Sequence, residues 1–176
     1  LPNLTLFLSE AQIKEGVARL ARQIQADYEG RPLLVVGVLR GAFVFMADLV
    51  RRLQLPLTVD FVRLASYGAS TSSSGRVRLI HGVRSSLRGR DVLVVEDIVD
   101  TGLTTSFLLA YLKERGAASV RICALLDKPA RRRTQVSLDY VGFTVPDRFL
   151  VGYGLDFDQR YRELPAVYAL EESDGP

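Results

Sequence analysis

The chain has 176 residues, 48% hydrophobic, 24% charged and 9% aromatic, an ordinary globular composition that excludes disorder, collagen and a coiled coil and suffices for one domain. The formal net charge is +3, compatible with anionic ligands but too small to indicate nucleic-acid binding. Apolar runs such as Leu33–Leu39 fall far short of the roughly 20 residues of a membrane helix, and no cationic-then-apolar segment opens the sequence, so the expectation is a soluble, cytoplasmic protein.

Ser9-Glu10-Ala11-Gln12 reads as a capping box, and Ile13, Val17, Leu20, Ala21 and Ile24 then recur on one helical face up to a stop near Gly30. Leu33–Leu39 is a run without alternation, the pattern of a strand buried on both faces. Residues 42–53 read as a helix and 57–66 as a strand. The polar run 66–75, rich in serine, is too poor in apolar groups to hold itself in place and is expected to be mobile. Residues 77–80 form a short strand candidate, 91–95 a second buried strand, 104–115 a helix and 120–126 another strand. From 136 onward the chain is strand-like and turn-rich, ending in an acidic tail at 171–176 expected to fray. Buried strands alternating with helices argue for a mostly parallel sheet flanked by helices, in one domain.

In such sheets ligands collect at the carboxyl ends of strands, which directs attention to Glu96 through Thr105. Gly102 permits a tight turn there. Thr101, Thr104 and Thr105 supply amides and hydroxyls at a helix start that favours an anion. The helix dipole contributes only about 0.3–1 kcal/mol, so several hydrogen bonds must supply most of the grip. The carboxylates Glu96, Asp97 and Asp100 beside an anion site make sense when the ligand also brings hydroxyls, a metal or a proton, as a phosphorylated sugar does. A Walker loop is excluded because the sequence contains no Gly-Lys pair. Only three of the 23 basic residues are lysines, and Lys128 alone of these follows a strand.

The segment from Val92 to Thr105 resembles the phosphoribosyl pyrophosphate motif of the type I phosphoribosyltransferases. The likeness extends through Val38 to Leu49, Ser66-Tyr67, Leu126-Asp127-Lys128 and Val141 to Arg162, where it is similar to the hypoxanthine-guanine phosphoribosyltransferases. That resemblance implies the fold of the type I family: a core at about 9–140 and a small hood formed by about 141–176 with the N-terminal residues. It implies magnesium-dependent transfer of phosphoribose from phosphoribosyl pyrophosphate to hypoxanthine or guanine, giving IMP or GMP and pyrophosphate.

The resemblance also implies residue roles. Glu96 and Asp97 engage the ribose hydroxyls directly or through magnesium, Asp100 acts as general base near purine N7, and Thr101, Gly102, Leu103, Thr104 and Thr105 hold the 5′-phosphate. Lys128 meets the 6-oxo group, Phe149 stacks on the base, the backbone at Leu150 and near Asp156 reads the purine edge, and the Asp156 carboxylate holds a second magnesium. Leu39-Arg40-Gly41, with a cis peptide, and Arg162 take pyrophosphate, while the lid begins at Ser66 and Tyr67. A homodimer or homotetramer and no membrane partner are implied as well.

Other residues read more plainly. Cys123, among apolar neighbours, is expected to be a small buried hydrophobe, His81 structural or solvated, Phe143 a core aromatic and Arg131-Arg132-Arg133 a solvated loop. One cysteine and one histidine also exclude an internal disulfide and a Cys/His zinc site. A phosphoacceptor receiver domain shares the strand-then-acidic-pair pattern, but too little chain follows it and no lysine comes after Lys128. Xanthine-guanine phosphoribosyltransferase and an RNA-binding regulator on the same fold remain as alternatives.

Overall fold

The computed structural model describes residues 3–67 and 76–171. Two sheets organise them. The larger has six strands in the order β4-β3-β2-β5-β6-β7, built from β2 (Leu33–Leu39), β3 (Leu57–Tyr67), β4 (Arg76–His81), β5 (Asp91–Val99), β6 (Ser119–Asp127) and β7 (Tyr140–Thr144). All neighbours in it are parallel except β3 and β4. The smaller is antiparallel, β1 (Asn3–Leu8), β9 (Val167–Glu171) and β8 (Leu150–Val151), and joins the two ends of the described chain.

The apolar runs are explained by helices on both faces of the larger sheet. Leu33 and Val35 of β2, with Leu93 and Val95 of β5, pack into a core shared with α1 (Glu10–Asp27) and α2 (Phe43–Val50). Leu34, Val36, Val92 and Val94 point the other way, toward Leu108 and Leu112 of α3 (Leu103–Glu114). A strand buried on both sides has no polar face to show, so its sequence does not alternate. The capping box forms as expected: Ser9 Oγ accepts from Gln12 N at 3.1 Å, and Ser9 N donates to Gln12 Oε1 at 2.8 Å.

Two elements differ from expectation. The helix read at 42–53 spans only Phe43–Val50. The strand read at 91–95 continues to Val99, because Ile98 and Val99 pair with Leu126 and Asp127 across β6. Glu96 and Asp97 therefore project from a strand and not from a loop. The serine-rich residues 68–75 and the tail residues 172–176 lie outside the described residues; Glu171 itself closes β9. No helix among the described residues is long and apolar enough to cross a membrane.

Candidate active site

Chain order reverses between β2 and β5: from β2 the chain moves outward to β3, and from β5 it moves the opposite way to β6 and β7. Doubly wound sheets leave a crevice at such a switch point, outside the carboxyl ends of the strands. Here that crevice lies between the loop after β2 and the end of β5, and the two meet closely. A Cβ on Gly41 would collide with the Asp97 carboxylate, and one on Gly154 would collide with the Gly41 carbonyl, so the turn at Gly154 closes over the same point. The Leu39–Arg40 peptide is cis.

Glu96 is 4% exposed and accepts a hydrogen bond from the Thr105 hydroxyl at 3.3 Å. Burial, helped by the neighbouring Asp97 charge and opposed by Thr105, pushes its carboxyl up to about 8. Burial likewise pushes Asp97 up to about 6, against the Ile98 N–H donated to it at 2.8 Å and the nearby Arg162 charge; the Asp156 charge adds to the rise. Both shifts come chiefly from burial, which disfavours the charged forms of these carboxyls.

Asp100 follows β5. Its Oδ1 is 3.5 Å from Arg131 Nε, yet that buried oxygen accepts no hydrogen bond. The next residues turn into α3. Thr101 Oγ1 accepts from Leu103 N at 3.4 Å, and the Thr101 carbonyl accepts from the amides of Arg133 and Thr134 at 2.8 and 3.1 Å. Gly102 has φ +83°, and a Cβ there would lie 2.6 Å from the Thr134 carbonyl oxygen. The amides of Thr104 and Thr105 fall in the first turn of α3, where no intrahelical acceptor exists, and so can serve an anion.

Lys128, at the end of β6, is 6% exposed. Its amide donates to Val99 O at 2.9 Å, tying it to the Asp100 turn, and its Nζ donates to Arg148 O at 2.8 Å. Phe149 is 50% exposed and meets Phe157 edge-on at 5.6 Å, so its ring is not part of the core. The Leu150 side chain is buried in β8, which leaves only its backbone for a ligand. Asp156 pairs with Arg162 Nη2 at 3.1 Å and accepts from Gln159 N at 2.8 Å. Arg162 Nη1 donates to Gly154 O at 2.7 Å. Gln159 Oε1 accepts from both Arg40 at 2.8 Å and Arg162 at 3.0 Å.

The sequence of this site can be compared with known proteins. The phosphoribosyl transferase domain matches residues 7–158. The hypoxanthine-guanine phosphoribosyltransferase of Bacillus subtilis is 45% identical over 166 residues, covering 94% of this chain and 92% of that protein. The chain belongs to the phosphoribosyl transferase domain family. A crystal structure of a hypoxanthine-guanine phosphoribosyltransferase from Bacillus anthracis superposes on this family member with a TM-score of 0.92 at 41% identity, covering 97% of this chain and all of that one. The bifunctional protein TilS/HprT of Listeria innocua is 49% identical over 94% of this chain, which spans only 26% of that longer protein.

The fold thus brings Leu39, Arg40, Gly41, Glu96, Asp97, Asp100 to Thr105, Lys128, Phe149, Asp156 and Arg162 to one rim of the phosphoribosyltransferase sheet. Ser66 and Tyr67 end β3, pairing with Val77 and Arg76; since Leu39 pairs with Arg63, they extend beyond the end of β2. Two groups escaped the sequence reading. Arg131 and Arg133 are exposed, as a solvated loop requires, but Arg132 is ion-paired with Asp127 with 19% of its side chain exposed, and the Arg133 and Thr134 amides brace Thr101. Gln159 carries no local pattern at all. Cys123 is fully buried with its thiol pushed up by burial, and Phe143 packs against the core, both as expected.

Proposed function

We propose that this chain transfers phosphoribose from phosphoribosyl pyrophosphate to hypoxanthine or guanine, serving purine salvage. The observation that carries the reading is Lys128: a buried ammonium fixed between the Asp100 turn and Arg148, one residue from the exposed Phe149 ring. An ammonium rewards a carbonyl acceptor and penalises the donor amine of adenine, so Lys128 selects 6-oxopurines. Phe149 offers a face for the base, and the backbone at Leu150 and near Asp156 reads its edge.

In the transfer, the C1′ bond to pyrophosphate breaks and a bond from purine N9 to C1′ forms, leaving a proton to be taken from the base. Asp100 takes it near N7; the supporting observation is its Oδ1, which accepts no hydrogen bond and has only the Arg131 guanidinium at 3.5 Å. The turn from Thr101 to Thr105 holds the 5′-phosphate, Glu96 and Asp97 hold the ribose hydroxyls, and Leu39-Arg40-Gly41 with Arg162 hold pyrophosphate. Positive charge develops on the sugar and negative charge on the leaving group, which the arginines stabilise.

Magnesium fits this donor set of hard oxygens, because burial raises the carboxyls of Glu96 and Asp97 and a bound cation would favour their charged forms. Glu96 and Asp97 would hold one ion, and Asp156 a second. Among the described residues no three His, Cys, Asp or Glu side chains converge into a cage, which suits an ion that completes its shell with water and substrate phosphate. Bound, it supplies positive charge to the departing pyrophosphate. The reading places the enzyme in the cytoplasm as a homodimer or homotetramer.

Nucleotide formation from phosphoribosyl pyrophosphate and magnesium, with each of hypoxanthine, guanine, xanthine and adenine in turn, tests the proposal. Hypoxanthine and guanine should give product and adenine none. Absence of product with both hypoxanthine and guanine sinks it, and turnover of xanthine alongside guanine moves the specificity to xanthine-guanine.

A further inference from the structure

Gln159 stands in a turn where side chains rarely go. Its φ is +62°, with Asp158 at +50° before it and Tyr161 at +77° after. Non-glycine residues disfavour this region, and a run of them persists only where surrounding contacts impose it. The contacts at Gln159 are specific. Its main-chain N–H donates to Asp156 Oδ2 at 2.8 Å. Its side-chain carbonyl oxygen accepts from Arg40 Nη1 at 2.8 Å and Arg162 Nη2 at 3.0 Å, using both lone pairs.

The consequence is electrostatic. Arg40 sits after β2 and Arg162 sits in the hood, and two guanidinium groups from separate elements repel unless something gathers them. A carboxylate between them would gather them but also cancel part of the charge an anionic ligand needs. An amide oxygen gathers them without adding negative charge to that of the carboxylate, Asp156, that already pairs with Arg162 at 3.1 Å. We infer that Gln159 is a positioning residue that holds Arg40 and Arg162 together as one anion clamp for pyrophosphate. The inference rests on the function proposed above, since it presumes that those arginines meet the leaving group.

The test compares wild type with Gln159→Ala, Gln159→Glu and Arg40→Ala. It reads KM for phosphoribosyl pyrophosphate, KM for hypoxanthine, and binding of pyrophosphate with magnesium by calorimetry. Loss of one such hydrogen-bonded link should weaken pyrophosphate binding and raise KM for phosphoribosyl pyrophosphate about three- to tenfold in Gln159→Ala. KM for hypoxanthine should move less than about twofold, a split that general loosening of the fold would not produce. Gln159→Glu should keep the clamp closed yet weaken pyrophosphate at least as much, because it adds negative charge. Gln159→Ala on an Arg40→Ala background should cost little more than Arg40→Ala alone, as expected of residues acting through one another. Wild-type pyrophosphate binding in both Gln159 variants, or independent multiplication of the Gln159→Ala and Arg40→Ala effects, overturns the inference while the transferase reading stands. A wild type that neither binds pyrophosphate nor makes nucleotide overturns the reading beneath it.

Discussion

Asp100 and Lys128 divide the chemistry between reaction and selection. The Asp100 Oδ1 is buried and accepts no hydrogen bond, so a donor on the ligand would satisfy it. Asp100→Asn keeps the shape and removes the base. Its kcat should fall by roughly 10²- to 10⁴-fold while GMP binding, measured by calorimetry, stays near wild type; an unchanged kcat would take Asp100 out of proton transfer. Lys128→Gln should narrow the preference for hypoxanthine over adenine by roughly ten- to hundredfold in kcat/KM, the worth of a hydrogen bond to a charged group. The same ratio in the variant would detach Lys128 from the 6-oxo group. The position of the contiguous stretch Glu96 to Thr105, at the carboxyl end of β5 and the start of α3, was legible in the sequence. Arg132 and Gln159 were not, because each meets a partner brought near only by folding: the Gly102 turn for one, and Arg40, 119 residues away, for the other.

At the scale of elements, legibility followed burial. β2 was read to its last residue because a strand covered on both faces is a continuous apolar run. β5 was read short because Glu96 and Asp97 look like the start of a loop, whereas pairing of Ile98 and Val99 with β6 carries the strand past them. This extension carries Asp97 to the Gly41 loop and Glu96 to Thr105 at the start of α3. The join between β5 and α3 depends on Gly102 at φ +83°. Gly102→Ala puts a side chain in a left-handed conformation and its Cβ 2.6 Å from the Thr134 carbonyl oxygen. It should destabilise the protein by about 1–3 kcal/mol in urea unfolding and raise KM for phosphoribosyl pyrophosphate. Full stability with unaltered KM would show that the turn tolerates reshaping and does not form the phosphate cradle as argued.

For the whole molecule, alternation of buried strands and helices sufficed to place the chain among doubly wound sheets. The second sheet left no comparable trace, since β1 and β9 pair residues such as Asn3 and Glu171 from opposite ends of the described chain. The site also costs the fold something that solution conditions can expose. Glu96 is raised from 4.5 to about 8 and Asp97 from 3.8 to about 6. Between the ordinary and the raised values the folded state binds more protons than the unfolded one, so stability falls as pH rises through that window. The melting temperature of the ligand-free protein should therefore decline from about pH 5 to about pH 8. Glu96→Gln should flatten the upper part of the decline. A melting temperature that rises across this range in wild type, or a variant with the same slope, would contradict the assignment of burial strain to these carboxylates.

The most direct measurement is a crystal structure of the protein with GMP. The 5′-phosphate should lie on the amides and hydroxyls from Thr101 to Thr105, the ribose hydroxyls against Glu96 and Asp97, the 6-oxo oxygen within hydrogen-bond reach of Lys128 Nζ, and the base against Phe149. A nucleotide bound away from the ends of β5 and β6, or seated there with its 6-oxo group turned from Lys128, would contradict the account.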